Sequence, residues 1–197
     1  FGWANLETHT PMTPLTKLRI GSVSKSIASA GMGVLMDAGK LDIDAEIHTY
    51  LPDFPRKAHP VTTRQLAGHL AGIRHYLADD FLDSKHYPTV TAGLEIFKDD
   101  PLLFEPGAQF SYSSYGWNLL SAVLEGAADQ AFLPFMQHYV FAPMGLRYTL
   151  AEHMNTIIPH RSGYYQLRLD CALENAPFVD NSYKWAGGGF ISTPEDV

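Results

Sequence analysis

Between Ser22 and Ala38 the apolar side chains Val23, Ile27, Val34, Leu35 and Ala38 fall near helical spacing, which predicts an α-helix. Its middle, Ala28, Ala30, Gly31 and Gly33, is small-sided and poor in charge, so the helix is expected to be buried on most sides with close neighbours. Gly39-Lys40 then supplies a helix stop. A second mostly apolar helix is predicted over 116–128, after the Pro106-Gly107 turn, with helical character continuing from Phe132 to Phe141. Shorter helices are expected from Thr62 towards Leu70, ended by Gly72, and over 92–98. Extended structure is predicted from Phe1 to Ile20 as a hairpin of Trp3–Leu6 and Leu15–Ile20 around Pro11 and Pro14, and again at Tyr164–Leu173 and Gly187–Ile191. The stretches 41–54 and 77–88 read as irregular and acidic, with Asp79, Asp80 and Asp83 forming a solvated loop face. Strands, then mainly helices, then strands again predict an α+β fold in which a helical subdomain, roughly 41–165, is inserted next to a sheet.

Composition narrows the function classes. The 197 residues are 46% hydrophobic and 18% charged, enough for a substantial core and without a disordered signature. The net charge of −7 and the lack of a lysine/arginine block argue against nucleic acid or an anionic membrane surface as the main partner. No run approaches the ~18 consecutive apolar residues of a membrane span. The single cysteine, Cys171, excludes an internal disulfide and is expected to be a small core residue.

The most informative polar pattern is Ser22-Val23-Ser24-Lys25 at the start of the first predicted helix. A serine and a lysine three apart share a helix face, about 4.5 Å apart along the axis at ~1.5 Å rise per residue. A serine hydroxyl is a poor nucleophile without a base in reach, and a lysine is a base only if burial or positive neighbours lower its pKa. The plain alternative is that Ser22 or Ser24 caps the helix. A second stretch, Tyr112-Ser113-Ser114, stands just before the second long helix. Tyr112 is a candidate proton carrier if nearby cations lower its pKa, and Ser114 a candidate partner for a substrate amide or for the Lys25 amine. Here too the plain alternative is a core aromatic followed by a serine cap.

Taken together, the two stretches resemble the serine β-lactamase-like family, which includes class C β-lactamases, penicillin-binding proteins, D-Ala-D-Ala carboxypeptidases, D-aminopeptidases and related esterases. The resemblance runs through Arg19–Lys25, Asp37–Asp42, Tyr50–Phe54 and Thr63–Ile73. It continues to Val179–Phe190, which looks like the branch of mitochondrial serine β-lactamase-like proteins and their bacterial relatives. It implies a β-lactamase/transpeptidase-like fold with an antiparallel sheet, Ser22 as acylated nucleophile, Lys25 as its base and Tyr112 as proton shuttle. No cofactor and no metal are implied; the partner is a small-molecule or peptide substrate, and location would be a bacterial envelope or a mitochondrion. Ser114 takes the third place of the family's Tyr-x-Asn motif, where a hydroxyl reaches less far than a carboxamide. That leans the expected substrate away from β-lactams, towards another peptide or an ester. The family's third motif, Lys-Thr-Gly or His-x-Gly, lies on a strand after the Ala-Gly-Gly segment and is not among the 197 residues. Phe1 follows no initiator Met, and Thr193-Pro194-Glu195-Asp196 reads as a helix start. The chain is therefore expected to be a partial domain cut at both ends and inactive by itself.

Two rival readings of the sequence are a non-catalytic scaffold that keeps the fold, and a metal hydrolase built on some of the nine histidines. The second lacks a H-E-x-x-H pattern or a Cys/His cluster, and the family resemblance implies a structural role for the segment carrying His69 and His75. Gly187-Gly188-Gly189 lacks the lysine of a phosphate loop and is expected to serve close backbone packing.

Overall fold

The structure, a computed structural model, describes residues 2–197; Phe1 and the Asp79 side chain, and with them those parts of the expectations above, lie outside the described residues. The chain opens with strands β1 (Trp3–Asn5), β2 (Thr10–Pro11) and β3 (Leu18–Arg19), followed by helix α1 (Val23–Asp37). Helices α2 (Thr63–Ala67), α3 (Val90–Gly93), α4 (Ser114–Ala128), α5 (Phe132–Met136) and α6 (Ala142–Met144) come next. Strands β4 (Leu150–Ala151), β5 (Tyr165–Leu167) and β6 (Leu173–Asn175), helix α7 (Trp185–Gly188) and strand β7 (Phe190–Ser192) complete the order.

The two long helices follow from their sequences. In α4 every residue from Ser114 to Leu124 is buried, as its continuous apolar run requires. Burying side chains the size of Leu119, Leu120, Val123 and Leu124 contributes about 1.5–3 kcal/mol each. Helix α1 ends as its glycine predicts: Gly39 takes φ +66°, and the Gly39 and Lys40 amides return to the Met36 and Leu35 carbonyls. The short α2 carries a full capping box, Thr62 with Gln65, and ends at Gly68 rather than Gly72. The expected helix over 92–98 is α3 followed by a 3-10 turn, Leu94–Ile96. Within 77–88 a 3-10 turn, Ala78–Leu82, holds Asp80 in an ion pair with Arg74 at 2.8 Å, and Asp83 accepts from the Tyr87 hydroxyl at 2.7 Å. Asp80 and Asp83 therefore fold this loop rather than form a merely solvated face.

The sheet departs most from expectation. Strand β1 pairs with β2, but Leu18–Arg19 does not join that hairpin. It pairs antiparallel with β7, Leu18 opposite Ser192 and Arg19 opposite Ile191, and β4 covers the other edge of β7 in the order β3-β7-β4. Tyr164–Leu173 is not one strand either: β5 and β6 form their own hairpin, with Tyr165 opposite Asn175, and Cys171 lies in its turn with φ +63°, exposed rather than in the core. Gly187 belongs to the helical turn α7, so the last strand begins at Phe190. All three β7 residues are fully buried, and Phe190 stacks against Phe132 and meets Phe141 edge-on. Helix α7 packs on both α1 and α4. Three element ends therefore converge: the start of α1, the start of α4 and α7.

Candidate active site

Gly21 makes the turn from β3 into α1 with φ +49°, a conformation that favours glycine, and leaves Ser22 at the N-terminal end of the helix. Ser22 makes no side-chain cap. Its Oγ lies 2.6 Å from the Tyr112 hydroxyl and 3.2 Å from Lys25 Nζ. Ser24 has the structural role instead: fully buried, its hydroxyl accepts the Phe190 amide at 3.2 Å and ties α1 to β7.

On α4 the two serines divide in the same way. Ser113 is the cap, its Oγ accepting the Gly116 amide at 2.8 Å. Ser114, one residue further, is turned to Lys25, with 3.2 Å between Oγ and Nζ. The third element brings a backbone oxygen: Lys25 Nζ donates to the Gly187 carbonyl at 2.6 Å. A Cβ on Gly187 would sit 2.7 Å from Asn118 Oδ1 and 3.0 Å from the Ser114 carbonyl, so this carbonyl reaches the amine only because residue 187 has no side chain.

The Lys25 amine thus has three oxygen neighbours: Ser22, Ser114 and Gly187. Burial lowers its pKa from the ordinary lysine value, with the Tyr112 phenol pulling the other way. A neutral amine has two N–H donors and one lone pair. In that neutral form, with the N–H groups on Ser114 and Gly187, the lone pair would face the Ser22 hydroxyl 3.2 Å away. Burial alone would raise the Tyr112 phenol, but its contacts with Lys25 and Ser22 outweigh that and hold it below the ordinary tyrosine value. Lys25 is buried and Ser22 exposed, so a reachable hydroxyl stands over a dry base. The arrangement can remove a proton from Ser22 and pass one through Tyr112.

Beside it opens a cavity of about 410 Å³, bordered by Ser22, Ser114 and Gly187 on one side and by Tyr76, Phe81, Leu82, Pro177 and Val179 on the other. A larger cleft of about 520 Å³ lies between 55–59 and 99–105, and Ser22, Lys25 and Tyr112 do not line it. Arg19 and Asn181 also border the Ser22 cavity, held by the fully buried Glu152. Arg19 Nε donates to Glu152 Oε2 at 2.6 Å, the Tyr164 hydroxyl donates to Oε1 at 2.7 Å, and Asn181 Nδ2 donates to Oε2 as well. Lys184 completes this wall, its pKa lowered to about 8, by burial first and then by the Arg19 charge. Sequence reading missed Glu152, Asn181 and Lys184: a lone acid in Leu150-Ala151-Glu152-His153 carries no local signal of its distant partners. Among the described residues no group of three His, Cys, Asp or Glu is placed to hold a metal ion, and no helix is long and apolar enough to cross a membrane.

The Beta-lactamase family matches residues 1–197. The chain belongs to that family. Its Beta-lactamase relatives include the mitochondrial serine beta-lactamase-like protein LACTB of Homo sapiens, 32% identical over 265 residues, covering all of this chain and 48% of the human protein. Esterase EstB of Burkholderia gladioli is 29% identical over 232 residues, covering 100% of this chain and 59% of EstB. Among solved structures, a penicillin-binding protein from Bacillus halodurans superimposes with a TM-score of 0.85 at 25% identity, covering 100% of this chain and 61% of that one. The chain thus spans about half the length of the mammalian relatives, and its fold is the β-lactamase/transpeptidase-like one, with mixed helices and antiparallel strands.

Proposed function

We propose that this chain carries the nucleophile of a serine hydrolase that works through an acyl-enzyme. Ser22 Oγ attacks a carbonyl carbon while Lys25 takes its proton. The proton then passes by way of Tyr112 to the leaving nitrogen or oxygen, whose bond to the carbonyl carbon breaks, and the acyl group stays on Ser22. Water attacks that ester in the second half, giving its proton back along the same path and releasing a carboxylic acid. The Ser22 amide, at the N-terminus of α1, is one donor for the oxyanion, where the helix end favours negative charge. The family resemblance assigns a second donor to the later third-motif strand, so the activity proposed is that of the protein containing it.

One observation carries this reading: Ser22 Oγ is within hydrogen-bond reach of both a buried lysine and a tyrosine hydroxyl, at 3.2 and 2.6 Å. Relatives named as an esterase, a D-aminopeptidase and a penicillin-binding protein support an ester or peptide carbonyl as substrate. The apolar wall of the cavity suits an apolar acyl group or side chain. Ser114, which borders the same cavity while holding the amine, is the proposed substrate contact, and its short reach favours ester or peptide over β-lactam.

The test offers the intact protein that contains this chain a chromogenic ester, a peptide anilide and a chromogenic β-lactam. Mass spectrometry follows Ser22. Turnover of ester or anilide with an acyl adduct on Ser22 is expected. Absence of turnover and adduct with all three, from folded protein, would overturn the reading in favour of a non-catalytic scaffold.

A further inference from the structure

His69 and His75 stand outside the Ser22–Lys25–Tyr112 triangle, yet they grip the segment that carries Tyr112. The amides on both sides of Tyr112 end on His69: Ser111 N donates to its carbonyl at 2.9 Å and Ser113 N to its ring Nδ1 at 3.1 Å. The next amide, Ser114 N, donates to His75 Nδ1 at 3.2 Å. Between them, the Ser113 hydroxyl donates to the Arg74 carbonyl at 2.7 Å. The two imidazoles also bracket the phenol, His69 with its centroid 4.4 Å from that of Tyr112 and 31° between planes, His75 at 5.4 Å and edge-on. His69 makes these contacts at φ +60°, a left-handed conformation that a residue other than glycine adopts only when its surroundings hold it.

An Nδ1 that accepts an amide N–H carries no proton, so each ring is neutral with its hydrogen on Nε2. We propose that His69 and His75 are positioning residues whose unprotonated Nδ1 atoms set the Tyr112 phenol over Ser22, and that protonation of the pair releases it. This rests on the serine-hydrolase reading, which gives Tyr112 a proton to carry. Protonating either ring turns an N–H···N bond into two N–H groups facing each other. It also adds positive charge near Lys25. The titratable and charged groups against the rings are Lys25 from α1, Tyr112 from the chain before α4, His75 for His69, and, beside His75, Tyr76 and the Arg74 guanidinium, which donates to the His75 carbonyl at 3.1 Å. Phe110 and Trp117 complete the contacts of His69 without charge. Burial first, and then the Lys25 charge, lower both imidazole pKa values from 6.5. The clamp is therefore complete above the ordinary histidine range and is lost as pH falls below it through the lowered values.

The experiment measures the rate at which a fluorophosphonate labels Ser22 in the intact protein across the acid and neutral range. Wild type is compared with two double variants, His69→Asn/His75→Asn and His69→Ala/His75→Ala. An asparagine oxygen accepts an amide N–H near the place of Nδ1, tolerates positive φ and does not titrate. The alanine pair should label about 10- to 100-fold more slowly than wild type near neutrality, the scale of a misplaced reacting group. The asparagine pair should recover most of that rate and lose the part of the wild-type acid-side fall that follows the histidines, keeping the part due to protonation of Lys25. An asparagine pair with an unchanged acid-side fall, or an alanine pair that labels at the wild-type rate, overturns the inference. Wild type that takes no label at any pH defeats the serine-hydrolase reading instead. The clamp is then decided by the Tyr112 ring-carbon NMR resonance of wild-type protein, which should move as the histidines titrate; a resonance indifferent to that titration overturns it.

Discussion

The Tyr112 hydroxyl lies 2.6 Å from the Ser22 hydroxyl although 90 residues separate them along the chain. Ser22 stands directly before α1 and Tyr112 two residues before α4. Ser22 is set by the Gly21 turn out of β3, and Tyr112 by a segment hydrogen-bonded to His69, Arg74 and His75. The contact therefore reports on the docking of α1, α4 and the chain before α4 as one unit.

Lys25 is the first residue to change. Lys25→Ala should slow acylation by about 100- to 10,000-fold, the range of a lost general base. Lys25→Arg should not restore it, because a guanidinium does not deprotonate in proteins. Stopped-flow acylation by an activated ester checks both variants; an arginine enzyme as fast as wild type would rule out a lysine base.

The same lysine should cost stability. Its pKa is lowered in the folded state, so the unfolded chain binds more protons between that lowered value and the ordinary 10.5. Stability contributed by this group therefore rises with pH through that window. Lys25→Met removes the burial cost while keeping the shape, and should stabilise the protein near neutral pH by about 1 kcal/mol while abolishing activity. Urea unfolding at two pH values, one below and one within the window, measures the sign directly.

Glu152 is fully buried and holds Arg19, Tyr164 and Asn181 together at the cavity wall. Glu152→Ala leaves three donors without their acceptor and should cost about 3 kcal/mol. Glu152→Gln keeps the volume and part of the bonding and should cost less. Denaturant midpoints of the two variants provide the comparison.

Gly187→Ala puts a methyl 2.7 Å from Asn118 Oδ1 and 3.0 Å from the Ser114 carbonyl. Relief of that clash moves the carbonyl that holds Lys25 Nζ, so the acylation rate should fall by about 100-fold. A variant with wild-type acylation would show that the Gly187 carbonyl does not orient the amine.

Much of this was legible before the fold was known, and the limits have physical causes. Helix α1 and its glycine stop are local: spacing, small side chains and the αL residue all lie within a few turns of one another. The Ser22–Lys25 relation is equally local, three residues on one helix face. Strand β3 is legible as a strand but its pairing is not, because two residues, Leu18 and Arg19, carry no information about a partner at Ile191 and Ser192. Residue type alone favours a core position for Cys171, but it sits exposed in a hairpin turn. Whether Ser22 and Ser114 serve the lysine or a helix cap is open on residue type alone. Burial of Ser24 against β7 and the Ser113 cap settle which hydroxyls are left to meet the lysine.

The most direct test of the central claim is the site of covalent labelling. The intact protein and its Ser22→Ala variant are treated with a fluorophosphonate, digested and mapped by mass spectrometry. An adduct on the peptide carrying Ser22 in wild type, with none anywhere in the variant, is the predicted result. Equal labelling of both proteins, or none in either while both are folded, would contradict an activated nucleophile at Ser22.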